Sequence, residues 1–141
     1  MLKPLYMKDG ILRIEFEGLV VRADWKSMLE QARKFEREAD RIPSRLTDTS
    51  RVDNLEHGYY DFVDLIAQRA KEGFPNAFKS AIVAPQPIQY GCARMFQTLN
   101  NNPQISIEIF AGVDEALHWL GEPIQPKSLA GSQTPFGKPY L

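Results

Sequence analysis

The last third of the chain constrains the fold more tightly than any other stretch. From Lys79 to Gly121 it reads as KSAIVAP, IQYGCARMFQTL, ISIEIFA and GVDEALHWLG in turn. Ser80–Val83 is a short apolar run of the kind that forms a strand buried on both faces. Pro85 and Pro87 end it, and Pro87 suits the first position of a helix. Ile105, Ile107 and Ile109 alternate with Ser106 and Glu108, the pattern of a half-exposed strand. The closing segment carries Asp114 and Glu115 in its first turn, and Gly121 and Pro123 after its last. These residues complement a helix dipole at one end and stop the helix at the other. Strand, helix, strand and helix in succession imply an α/β domain with a largely parallel sheet.

The upstream residues extend this order. Asp9-Gly10 favours a type I′ turn joining Leu5–Lys8 to Ile11–Glu17. Leu12, Ile14 and Phe16 share one face of the second arm, and Arg13, Glu15 and Glu17 share the other. Gly18 is expected to end that strand. Trp25, Met28, Leu29, Ala32, Phe35 and Ala39 recur at helical spacing, while Lys26, Glu30, Arg33, Lys34 and Arg37 take the solvated side. A short strand at Arg45–Asp48 precedes a stretch, Thr49 to Asn54, that reads as a polar loop. Tyr59, Phe62, Val63, Ile66 and Ala70 mark a second helix, and Cys92, Phe96 and Leu99 a third. The expected architecture is a five-stranded mixed, largely parallel sheet with an N-terminal hairpin and four flanking helices. Its strands lie near 4–8, 11–17, 45–49, 80–84 and 105–110, and its helices near 22–39, 57–72, 87–100 and 113–121. One domain is expected over residues 1–121, with a Pro/Gly-rich tail over 122–141.

Composition narrows the function classes. The chain has 141 residues, 43% of them hydrophobic, enough for one core without covalent staples. Its 17 basic and 18 acidic residues balance, which gives no pull toward nucleic acid or an anionic bilayer. The single cysteine, Cys92, excludes an internal disulfide and fits a reducing compartment. The longest apolar runs fall far short of the roughly 20 residues that cross a bilayer. A cytoplasmic protein is expected.

Ligands of open α/β sheets sit beyond the carboxyl ends of the strands. There the sequence offers Trp25, Ser50, Arg51, Tyr90 and Arg94, which could border one concavity and hold a small anionic or amphipathic ligand. On the competing reading Trp25 is core, the arginines are solvated or paired, and the hydroxyls cap a helix. Asp48, at a strand end, has no lysine in Phe110-Ala111-Gly112 to complete a phospho-acceptor site, and is expected to accept backbone hydrogen bonds instead. His57 and His118 give no zinc spacing. Cys92 reads as a small buried hydrophobe. No metal or cofactor is implied, and no catalytic residue is assigned.

Several segments together resemble a known family. They are Gly10-Ile11-Leu12-Arg13-Ile14, Gly18 with Asp24-Trp25, Arg45-Leu46-Thr47-Asp48-Thr49-Ser50, and Ser80-Ala81-Ile82-Val83. More specific are Tyr90-Gly91-Cys92-Ala93-Arg94-Met95-Phe96 and Val113-Asp114-Glu115-Ala116-Leu117-His118-Trp119-Leu120. The pattern resembles the SpoIIAA-like proteins of the STAS superfamily of sulfate-transporter and anti-sigma-factor-antagonist domains. The resemblance implies a five-stranded mixed sheet and non-enzymatic binding or regulatory roles. Antagonists of that superfamily are switched by phosphorylation of a serine in an Asp-Ser-Ser-Gly type motif opening the second helix. Here the equivalent stretch is Asp53-Asn54-Leu55-Glu56-His57-Gly58, with no hydroxyl, and Thr49 and Ser50 lie earlier. The expected function is a non-catalytic binding or regulatory module acting through a protein partner or a small amphipathic ligand. The alternatives are a phospho-regulated antagonist using Thr49 or Ser50, and an enzyme using Asp48, Tyr90 and Arg94 on a small anionic substrate.

The tail carries Leu129, Phe136, Tyr140 and Leu141, apolar groups that a solvated end does not need. It is expected to pack on its own domain or on a second copy in a homodimer. Deleting the residues after Glu122 should therefore lower the melting temperature or shift the mass in solution, as read by calorimetry and light scattering. A truncation that changes neither removes the basis for the dimer.

Overall fold

A computed structural model describes residues 1–56 and 59–124, apart from the side chains of Tyr59, Tyr60, Asp61, Phe62, Leu65 and Ala70. Five strands and four helices alternate along the chain: β1 (Tyr6–Lys8), β2 (Ile11–Val21), α1 (Arg22–Glu38), β3 (Arg45–Glu56), α2 (Tyr59–Ala70), β4 (Phe78–Val83), α3 (Pro87–Leu99), β5 (Ile105–Phe110) and α4 (Val113–Leu120). The sheet order is β1-β2-β3-β4-β5, with β1 antiparallel to β2 and the other pairs parallel. This is the mixed, largely parallel sheet with four helices that the sequence implies. The tail from residue 125, and with it the packing expected there, lies outside the described residues, as do the side chains of Tyr59 and Tyr60.

The spatial order dictates where the helices go. Each parallel strand is added on the same side of its predecessor, and crossovers between parallel strands are right-handed. All three crossover helices must then cover one face. Packing agrees: Trp25, Leu29 and Ala32 of α1, Ile66 of α2, and Cys92, Phe96 and Leu99 of α3 gather on Leu12, Ile14, Phe16 and Val20 of β2. The opposite face receives α4, whose Ala116, Leu117 and Trp119 pack on Leu46, Ala81 and Val83. Strand β4 is buried along its whole length, including Lys79, whose Nζ donates to the carbonyls of Trp119 (2.6 Å) and Glu122 (2.7 Å) past the end of α4. A buried ammonium is thus matched to carbonyls at a helix C-terminus, the negative end of its dipole.

The hairpin turn is as the sequence demands, with Asp9 at φ 54° and Gly10 at φ 75°. Two expectations are corrected. Gly18 does not end β2, which continues to Val21, and the stretch from Thr49 to Asn54 is not a loop but the second half of β3. The cause is a pair of bulges. Between Glu15 and Glu17 the partner residues advance from Asp48 to Arg51, and between Gly18 and Leu19 from Val52 to Asn54. Strand β3 therefore holds one extra residue at each place. At the second bulge Gly18 adopts φ 64°, a left-handed conformation; no atom lies within 4 Å of an added Cβ, so conformation rather than space selects glycine. Plain alternation would turn Arg51 and Asp53 inward. The bulges turn Val52 inward in place of Arg51, and leave Arg51, Asp53 and Asn54 exposed.

Strand β4 pairs with β3 only as far as Asp48, so the later half of β3 lacks a strand on that side. Gln89 of α3 takes its place. Its Nε2 donates to the carbonyls of Ser50 and Val52, both at 3.0 Å, while its Oε1 accepts from the backbone N–H of Gln86 at 3.0 Å. Thr49 helps by donating its hydroxyl to the Val83 carbonyl at 2.7 Å. The Gln89→Leu variant keeps the volume but strands these carbonyls, and is expected to lose about 1–3 kcal/mol, read as a lower urea midpoint with an unchanged slope. A stability equal to that of the unsubstituted protein would show that water replaces the amide.

Candidate functional site

Beneath the three crossover helices the sheet face does not close completely. A cavity of about 130 Å³ lies there, and its lining is almost entirely apolar. Ile14, Phe16 and Val20 of β2, Val52 and Leu55 of β3, and Ile82 of β4 form its floor. Trp25, Met28, Leu29 and Ala32 of α1, Ile66 of α2, and Cys92, Ala93 and Phe96 of α3 form its roof. The Trp25 ring stands between those of Phe16 (centroids 4.8 Å) and Phe96 (5.3 Å), so three aromatic groups fix one wall. The Cys92 thiol also lies on this lining, and burial pushes its pKa up to about 12, which keeps it protonated and weakly nucleophilic.

Toward the amino ends of the strands the lining turns polar, with Arg45, Thr47, Ser80, Arg69 and Asn100. Arg45 is buried and belongs to an ion cluster linking three elements. Glu36 of α1 accepts from Arg45 Nη2 at 2.7 Å and from Arg69 Nη2 at 2.8 Å. Arg69 Nη1 also reaches Glu72 at 2.8 Å, and Glu72 in turn accepts from Arg33 Nη2 at 2.6 Å. The Arg45 guanidinium lies over the Phe78 ring at 4.5 Å and that of Arg69 over Phe74 at 5.0 Å. Burial raises the Glu36 pKa, but hydrogen bonds from Arg69 and the charge of Arg45 outweigh it and hold the carboxyl below its ordinary range. Burial, with the charge of Arg69, draws Arg45 downward, though it stays a cation.

The five residues picked from the sequence are distributed unevenly over this geometry. Trp25 lines the cavity. Ser50 and Arg51 are exposed on the projecting half of β3. Tyr90 is half-exposed on the outer side of α3, and Arg94 is exposed and donates to Gln97 of its own helix. Asp48 projects from the sheet face opposite to Thr47 and Thr49 and accepts from the Ser50 N–H at 2.9 Å, a backbone role as expected. It is not brought together with Tyr90 and Arg94. Thr49 is buried with its hydroxyl committed to Val83, whereas Ser50 is exposed. His118 stands on the solvent side of α4, 3.6 Å from Glu122. Among the described residues no three His, Cys, Asp or Glu side chains gather as metal ligands, and no helix is long and apolar enough to cross a membrane. Sequence reasoning missed Arg45, Glu36 and Arg69 altogether. Arg45 opens a strand whose next residues, Leu46-Thr47-Asp48-Thr49-Ser50, are mostly polar, so the local pattern carries no signal that its charge is buried.

No family model and no curated protein matches the chain. Solved structures do. An uncharacterized protein with a SpoIIAA-like fold from Shewanella loihica superposes with a TM-score of 0.57 at 18% identity, over 85% of this chain and 92% of that one. The fold is SpoIIAA-like. An anti-sigma factor antagonist from Mycobacterium paratuberculosis shares this SpoIIAA-like architecture at a TM-score of 0.54 and 14% identity, over 86% of this chain and 94% of that one. At such identities the likeness is one of backbone, and the cavity lining and ion cluster are properties of this chain's own residues.

The ion cluster ties stability to pH. The folded Glu36 carboxyl titrates below its unfolded value, so its contribution is complete above the ordinary carboxylate range and is lost as pH falls through the folded value. Glu36→Gln leaves two buried guanidiniums without their shared counter-charge and is expected to cost about 3–5 kcal/mol near neutrality. The deficit should shrink as the unsubstituted protein is acidified, when urea midpoints are compared across pH. A constant deficit would mean that Glu36 acts by packing alone.

Proposed function

We propose that this protein is a non-catalytic binding and regulatory module that holds a small amphipathic molecule under its crossover helices. The observation that carries the reading is the apolar cavity of about 130 Å³, close in size to an engineered cavity that takes up benzene. Interiors ordinarily close such gaps, because unfilled volume costs contact energy. The walls are contributed by four strands and three helices, so an occupant would touch every one of these elements at once. A regulatory role with a protein partner is supported by the fold shared with an anti-sigma factor antagonist. The stretch Asp53–Gly58 carries no hydroxyl of the kind that class phosphorylates, which favours a ligand over a phosphate as the signal. Catalysis is disfavoured by the protonated thiol of Cys92 and by the separation of Asp48 from Tyr90 and Arg94.

Protein purified from its own host should release a small organic molecule on solvent extraction, detected by mass spectrometry. Cys92→Phe, which fills the cavity, should release none while its circular dichroism is unchanged. A molecule recovered equally from the filled variant, or from neither protein, would overturn the reading.

A further inference from the structure

The polar end of the cavity shows what kind of head group it is built for. Arg45 is 7% exposed, lines the cavity, and spends Nη2 on Glu36. Its Nε–H is buried and has no acceptor. A buried donor left unmade is costly, and more so on a charged group, so an unpaired guanidinium edge beside a cavity points to a missing partner. Arg45 and Arg69 both lean on Glu36, and Arg69 shares Glu72 with the partly exposed Arg33, so no further carboxylate of the cluster reaches the Arg45 Nε–H. Two hydroxyl side chains accompany Arg45 on the lining: Thr47, two residues along the same face of β3, and Ser80, its register partner on β4.

Resting on the reading of the cavity as a ligand site, we infer that its occupant is a small carboxylic acid. Its carboxylate would accept from Arg45 Nε, with Thr47 and Ser80 beside it, and its apolar body would lie toward Ile14 and Ile82. A carboxylate oxygen is a strong, charge-assisted acceptor for the guanidinium N–H that Glu36 leaves unmade. The volume admits an apolar body of about the size of one benzene ring.

Phenylacetate and its neutral isostere phenylacetamide provide the probe, with the full chain titrated by calorimetry and by NMR of the arginine Nε–H signals. Phenylacetate is expected to bind at least about tenfold more tightly, as one charge-assisted pair implies, and to move the Arg45 Nε–H resonance. Arg45→Lys keeps the charge but removes Nε, and is expected to shrink the preference for phenylacetate over the amide. Should that variant fail to fold, the two titrations of the unsubstituted protein and the Nε–H signal still decide. Equal affinities with a stationary Nε–H signal would overturn the head-group assignment and leave the cavity as an apolar site. Binding of neither compound would overturn both.

Discussion

Strand β3 runs for twelve residues and its neighbour β4 for six, and most of what distinguishes this molecule depends on that mismatch. Past Asp48, β3 has backbone groups on one edge with no strand to satisfy them. An open edge of this kind invites pairing with other chains unless something covers it. Here α3 supplies the cover, with Gln89 reaching two carbonyls at once and Gln97 and Asn100 doing the same for Ile107 and Ile105 of β5. These amide contacts set the height and tilt of α3 above the sheet. Between these contacts Ala93 packs on Ile82 and Ala84, and Gln89, Cys92, Ala93 and Phe96 of the same helix line the cavity.

The sequence disclosed the fold wherever one rule of periodicity held across an element. Ile105–Phe110 and Val113–Leu120 came out at their observed limits or within a residue, because alternation, an acidic first turn and a terminal glycine all agree there. The hairpin was legible for the same reason, since Asp-Gly has few other uses between two alternating runs. Legibility failed at Thr49–Glu56. Val52 and Leu55 are three residues apart, which matches neither strand spacing nor the charged company they keep, and only the bulges reconcile them with an inward face. Those bulges are a relation between two strands, and no local pattern encodes them. The same holds for the site. Trp25 was recognisable as an aromatic near a strand end, and it does line the cavity. Arg45, Glu36 and Arg69 come from three different elements, with Arg69 more than twenty residues beyond the other two, and their meeting is a product of topology.

The apolar and charged parts of this interior stabilise it in different ways. Phe16, Trp25 and Phe96 contribute by leaving water, a gain that needs no particular geometry. The Glu36 cluster must instead keep several short contacts at once to offset the cost of burying its charges. It therefore adds specificity: α1, β3 and α2 can approach only in the register that lets one carboxylate serve two guanidiniums. Asn102 reinforces this arrangement, donating to the carbonyls of Arg69 and Glu72 at 3.1 Å each and so fixing the chain from which those side chains project.

The sheet order has a further consequence, for how the protein comes into being. Every strand lies beside the one made just before it. A chain emerging from the ribosome finds each docking edge already in place and need not hold one open for a distant partner, as folds with interleaved strand orders must. The hairpin can serve as the seed, and each later strand–helix unit extends it in the order of synthesis. The projecting half of β3 is the exception, since Gln89 is translated more than thirty residues after the carbonyls it serves. During that interval the nascent molecule carries one open flank, and there a chaperone has reason to attend.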